Sequence, residues 1–142
     1  MSDVRVYLPL TPDQVHDVAT HGRLASRPLV AFAVTRRLRG QHPGEDDEGL
    51  EYAALLAAAD WANSNRGLKK LRRVIAAADI PATLVTEPGV TADRGAAEVT
   101  IAEPVTLRQI VSLHVDEQPK LGADLLWYDV TEVAAVSALL TS

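Results

Sequence analysis

The chain has no cysteine, so disulfides, thiolate metal sites and cysteine nucleophiles are all excluded. Aromatic residues make up 4% of its 142 positions, too few to interleave with basic residues as a base-stacking surface requires. No apolar run approaches the roughly 18 residues of a membrane-spanning helix. The opening MSDVRVYLPL carries an acid at Asp3 and reads as a strand rather than a signal peptide. Missing too are a Gly-rich phosphate loop, a dinucleotide fingerprint, a nucleophile elbow and the spacings of zinc fingers and zinc proteases. The expectation is a cytoplasmic protein outside the common enzyme classes, with no cofactor, no metal and no membrane association.

What is present suits an ordinary globule of one domain spanning residues 1–142, 47% hydrophobic and 23% charged. Its charge is polarised. Residues 1–73 hold 11 Lys and Arg against 9 Asp and Glu, and residues 74–142 hold 3 against 10. The halves carry +2 (11 − 9) and −7 (3 − 10), which sum to the formal −5. Such a surface favours self-association or one charged partner, unless it is merely solvated.

The chain is organised around Leu50 to Asn65, LEYAALLAAADWANSN. Alanine and leucine are strong helix formers, and here they cover nearly the whole helical circumference. A helix apolar almost all round is expected inside a protein. The four acids from Glu45 to Glu48 sit where a helix dipole favours negative charge, and Gly67 is a natural stop.

Elsewhere the local signals are short. Val4, Val6 and Leu8 alternate with Arg5 and Tyr7 as in a half-buried strand that Pro9 ends. Thr11, Pro12 and Gln14 form a capping box ahead of a helix that stops at Gly22, with Leu10 and Val15 placed for a hydrophobic staple. Residues 29–34 read as a buried strand, and Thr35 caps the TRRLRG segment. The stretch LRRVIAAAD is apolar on both faces and reads as an interior strand. Residues 81–95 read as irregular. AEVTIA, IVSLHVD and LLWYD read as strands, and VTEVAAVSALL as a closing helix. This order predicts a single-domain α/β or α+β sandwich, with a mixed sheet of five or six strands enclosing a central buried Ala- and Leu-rich helix.

RVYLP at 5–9, FAVT at 32–35, EYAAL at 51–55, HVD at 114–116 and LLWYD at 125–129 together give the chain a resemblance. It resembles a family of small uncharacterised actinobacterial proteins, a domain of unknown function. The resemblance spans essentially the whole chain and implies a cytoplasmic single domain. It transfers no catalytic residue.

Two sets of residues are candidates for chemistry. FAVT, AAAD, LHVD and LWYD finish with Thr35, Asp79, Asp116 and Asp129, and His114 lies two residues before Asp116. In a parallel sheet such strand ends converge on a ligand site, where acids serve as general acid and base. At the turns of an antiparallel sheet the same residues are only turn formers and caps. The second set is Arg5, Tyr7 and Glu51. Arg5 and Tyr7 share the polar face of the first strand, and a buried Glu51 needs a cationic partner such as Arg5, Arg36 or Arg37, so Arg5, Tyr7 and Glu51 are expected to line a polar pocket or Glu51 to form a structural salt bridge. His16, His21 and His42 have no ligand spacing. The basic run RGLKKLRR lacks interleaved aromatics, and the acidic balance disfavours nucleic acid.

The leading functional expectation is a non-enzymatic domain that acts through protein contacts as a homodimer, with Trp127 and Tyr128 as exposed candidates. The alternative is a small enzyme or ligand-binding protein using Asp79, His114, Asp116 and Asp129.

Overall fold

The computed structural model describes residues 2–24, 30–64, 72–88, 94–118 and 123–140. Alternation in the first strand, β1 (Asp3–Leu10), sets the layers: Val6, Leu8 and Leu10 are buried on one face and Tyr7 on the other. Pro9 does not end the strand. β2 (Ala31–Ala33) registers with β1 only at Val6 and Tyr7. Among the described residues the strand therefore has one neighbour at Pro9, and a residue without an N–H is tolerated as on an edge.

The capping signals are all used. Thr11 Oγ1 accepts from Gln14 N at 3.2 Å and Gln14 Oε1 from Thr11 N at 2.9 Å, starting α1 (Pro12–His21). Leu10 and Val15 are both buried beneath that turn. Gly22, at φ 74°, ends the helix in the left-handed region that its missing Cβ permits. Thr35 caps α2 (Arg36–Gln41) by accepting from Leu38 N at 3.0 Å and donates its hydroxyl to the Ala96 carbonyl. Asp46 Oδ1 accepts from Gly49 N at 2.8 Å at the start of α3 (Asp47–Ser64).

β3 (Val74–Pro81) is the interior strand expected, with Val74, Ala76 and Ala78 in one core and Ile75 and Ala77 in the other. Then follow β4 (Val85–Thr86), β5 (Glu98–Ile101), β6 (Ile110–Asp116), β7 (Leu125–Asp129) and α4 (Val133–Leu140). The closing helix is shorter than its apolar pattern, because Val130–Glu132 form a 3-10 turn. Val111 is the extra residue where the β3–β6 register shifts, so it is exposed while Ile110 is buried.

Among the described residues the sheet runs β4-β5-β2-β1-β3-β6-β7, and every neighbouring pair is antiparallel. The expected mixed sheet of five or six strands is thus corrected to seven antiparallel strands in an α+β arrangement. A helix between two strands carries no local mark of strand direction, and β4 hides in a stretch whose prolines and glycines read as irregular. β2 and β3 both oppose β1, so they run parallel to each other with β1 between them. α3 crosses over all three.

Helices cover both faces. α1 and α4 pack over Val6, Leu8, Ala76, Leu113 and Val115, contributing Val15, Val18, Val133 and Val136. On the other face α3 sets Leu50, Ala54 and Ala58 against Tyr7, Phe32, Ile75 and Ala77, joined by Leu38 of α2. The alanines at 54, 58 and 77 let helix and sheet approach closely.

Among the described residues α3 is buried against the sheet but not enclosed all round, which cuts the expected buried hub back to a helix covered on its sheet side. Tyr52 and Leu56, one turn apart, are 61% and 42% exposed. The Pro28–Leu29 strand start, the Gly67 stop, residues 66–71 of the basic run and the loop through Pro119 and Gly122 lie outside the described residues.

Candidate functional site

Described residues form concave regions at both ends of the α3 face of the sheet. The first lies where β1 begins, under the first two turns of α3. Register places Arg5 directly opposite Asp79, so their side chains leave the same face side by side. Arg5 Nε donates to Asp79 Oδ1 at 2.6 Å and Nη2 to Oδ2 at 3.2 Å, a two-point guanidinium–carboxylate pair. That hydrogen bond raises the Arg5 pKa, against the opposing effect of burial. α2 brings Arg39 to the rim, where Nη2 donates to Asp47 Oδ1 at 3.2 Å.

Asp47 and Glu51 are four apart and share one helix edge. With Asp3, Val34 and the two ion pairs they enclose a cavity of about 280 Å³. Tyr7 lies buried within the same field. Its phenol is pushed above the usual range first by burial and then by the Glu51 charge, with Arg5 acting the other way.

The second region is a groove of about 540 Å³ between the uncovered flank of α3 and the end of the sheet. Tyr52, Leu55, Leu56 and Ala59 form its helical wall, and Leu125 belongs to the strand side. His114, Arg73, Asp60 and Asp124 line it as well. Burial lowers the His114 pKa, and the Arg5 guanidinium lowers it further. Trp127 faces His114 across the β6–β7 register and is 62% exposed on the same face.

The strand-end set does not assemble in one cleft. Antiparallel order sends Asp79 and Asp116 to opposite ends of the sheet. Asp79 lines the cavity and His114 the groove. Asp116 is buried and ties β6 to the residue before β3: its Oδ2 accepts from Arg73 N at 2.7 Å and its Oδ1 from Arg73 Nη2 at 2.9 Å. Arg73 Nη2 also reaches the Ala123 carbonyl at 3.1 Å. Asp129 caps the turn after β7, accepting from Thr131 N at 2.9 Å and Thr131 Oγ1 at 2.6 Å. Those bonds hold its carboxyl below the usual range. No group of three His, Cys, Asp or Glu among the described residues is arranged to hold a metal.

Of the second set, Arg5 and Glu51 line the cavity while Tyr7 sits beside their charges. Sequence reasoning missed Asp3, Arg39 and Asp47. Alternation from Arg5 pointed to Asp3, and the four-residue step from Glu51 pointed to Asp47. Nothing local identified Arg39. Tyr128, expected to be exposed, turns to the α4 side and packs half-buried against that core.

A model of a family of unknown function (DUF6912) matches residues 4–123. No curated protein and no solved structure matches the chain.

Proposed function

The chain belongs to this family of unknown function, and from that premise we propose a non-enzymatic cytoplasmic domain that acts through protein contacts and pairs as a homodimer. The observation that carries this reading is the set of large apolar side chains left exposed beside β7. Tyr52 and Leu56 on α3 flank a groove that Leu125 also lines, and Trp127 stands two residues further along the same strand face. Large apolar side chains left exposed around a groove that polar groups also line suit a protein contact with a polar rim, and aromatic anchors dominate the energetics of such contacts.

The partner that fits is a second copy. Among the described residues β7 has a hydrogen-bonded neighbour on one side only, and its five residues contain neither lysine nor proline to block pairing. An antiparallel edge meets its own copy across a two-fold axis in a self-complementary way. Pairing there continues the sheet and brings the two Trp127 rings to the centre of the interface. Among the described residues no helix is long and apolar enough to cross a membrane, which is compatible with the cytoplasmic setting proposed.

Sedimentation of the purified chain across a wide concentration range tests the reading. A reversible monomer–dimer equilibrium is expected, and Trp127→Lys should shift it to monomer while leaving the melting temperature at dilutions where the parent is monomeric unchanged. A strict monomer at the highest soluble concentration ends the proposal.

A further inference from the structure

We infer that pairing through β7 is controlled by pH, with His114 as the titrating group: the dimer holds a neutral imidazole and separates when that imidazole takes up a proton. The inference rests on the homodimer reading and deepens it by giving that contact a control.

Hydrogen bonding fixes which backbone groups of β7 a second copy can reach. Glu117 N donates to the Asp124 carbonyl at 2.8 Å, and Leu125 to Asp129 continue the same register against β6. Hydrogen-bonded and non-hydrogen-bonded pairs alternate along an antiparallel ladder. Leu126 and Tyr128 therefore turn their N–H and C=O toward β6, while Leu125, Trp127 and Asp129 turn theirs toward the edge. A two-fold axis at Trp127 pairs that residue with its own copy and Leu125 with Asp129, engaging all five residues of the strand. An axis one residue to either side gives up part of that overlap.

Such an axis stands perpendicular to the sheet, so both α3 faces lie on one side. Register sets Ile75, His114 and Trp127 in one row across β3, β6 and β7. In the dimer the row continues into the partner's Trp127 and the partner's His114. In one copy His114 is half-buried in the groove while Trp127 is 62% exposed. Pairing covers Trp127 with its own copy and withdraws the neighbouring imidazole further from water. A charge placed there loses hydration, so protonation opposes pairing.

The surrounding charges do not reverse this. α3 brings Tyr52 and Asp60 to the groove, Asp124 enters just before β7, and Arg73 just before β3. Asp60 and Asp124 are exposed to water, and among the described residues His114 forms no ion pair with either. Arg73 is held by the buried Asp116 at 2.9 Å. Burial already disfavours the His114 proton, and Arg5 of β1 adds to that from a distance.

Sedimentation of the full chain from about pH 8 to about pH 5 tests this. The dissociation constant should rise about tenfold or more, since each of the dimer's imidazoles contributes up to about tenfold per pH unit. His114→Gln and the β-branched His114→Thr should both dimerise at the upper pH and stay dimeric at the lower. His16→Gln, His21→Gln and His42→Gln should leave the acid dissociation of the parent intact. Near-ultraviolet dichroism of the acid monomer should match that of the parent diluted to monomer at the upper pH, which separates release from unfolding. A parent that is monomeric at the upper pH removes the dimer reading, and this inference with it. A dimer whose dissociation constant is the same at both ends of the range overturns the inference alone. So does acid dissociation that both His114 variants retain, or an acid monomer without the near-ultraviolet signal.

Discussion

Two ion pairs on one sheet face differ in weight because their surroundings differ. Arg5 and Asp79 are 35% and 38% exposed at the side chain, so solvent screens the pair and Asp79→Asn should cost about 0.5 kcal/mol. Asp116 is fully buried and Arg73 only 14% exposed. Asp116→Ala leaves a buried guanidinium without its carboxylate and should cost about 3 kcal/mol or more. Urea unfolding of both variants checks the contrast, and equal losses would contradict it. His114 supplies a pH prediction at the same scale. Burial, reinforced by Arg5, lowers its pKa in the fold below the ordinary 6.5. Above 6.5 the imidazole is neutral in both states and contributes no pH dependence. As pH falls below 6.5 the unfolded chain takes up the proton first, so stability declines until the folded pKa is passed. His114→Gln should flatten this part of the melting temperature against pH, and an unchanged slope would refute the assignment. Alternation alone placed Arg5 and Tyr7 on one face and brought Glu51 into consideration. It could not reveal that Asp79 stands opposite Arg5, because that depends on register, and a slip of one residue reverses every face.

The helices show where local sequence is informative and where it is not. α1 is specified within its own few residues by Thr11, Pro12, Gln14 and Gly22. Thr11→Ala should therefore cost about 1 kcal/mol. α3 is specified by composition, which fixes a helix but not its surroundings. An Ala- and Leu-rich circumference suits a helix enclosed on all sides, and equally one that shows water a patch awaiting a partner. Substitutions separate its two sides. Leu50→Ala opens a void against the sheet and should cost about 2–5 kcal/mol. Ala54→Leu overfills the close approach and should cost about 1–3 kcal/mol. Leu56→Ser lies on the open flank and should change the stability of the monomer by no more than about 0.5 kcal/mol. Denaturant midpoints measured on a Trp127→Lys background isolate these costs from any effect of dimerisation. A large loss at Leu56 would mean that the flank is covered within the chain itself.

At the scale of the whole molecule, the sheet is apolar on both faces, so its stability depends on two helical layers contributed by distant parts of the chain. α3 covers one face from the middle of the sequence, while α1 and α4 meet over the other from its opposite ends. The sequence could suggest such layering from the doubly apolar β3. It could not say which helix takes which face, because strand order is decided by long-range pairing. The α4 layer is the thinner support. Val133 and Val136 are its buried anchors, each contributing roughly 1.5–3 kcal/mol when removed from water, while a domain's net stability is only about 5–15 kcal/mol. A chain ending at Asp129 gives up both anchors and uncovers the side of α1 that α4 packs against. Such a chain should keep much of its far-ultraviolet dichroism but lose a sharp melting transition and bind an apolar dye, the behaviour of a compact state without fixed packing. If it instead melts cooperatively near the parent temperature, α4 is not part of the structural core. The β7 edge would then be held by the sheet alone, and the surface proposed for pairing would survive without the helix behind it.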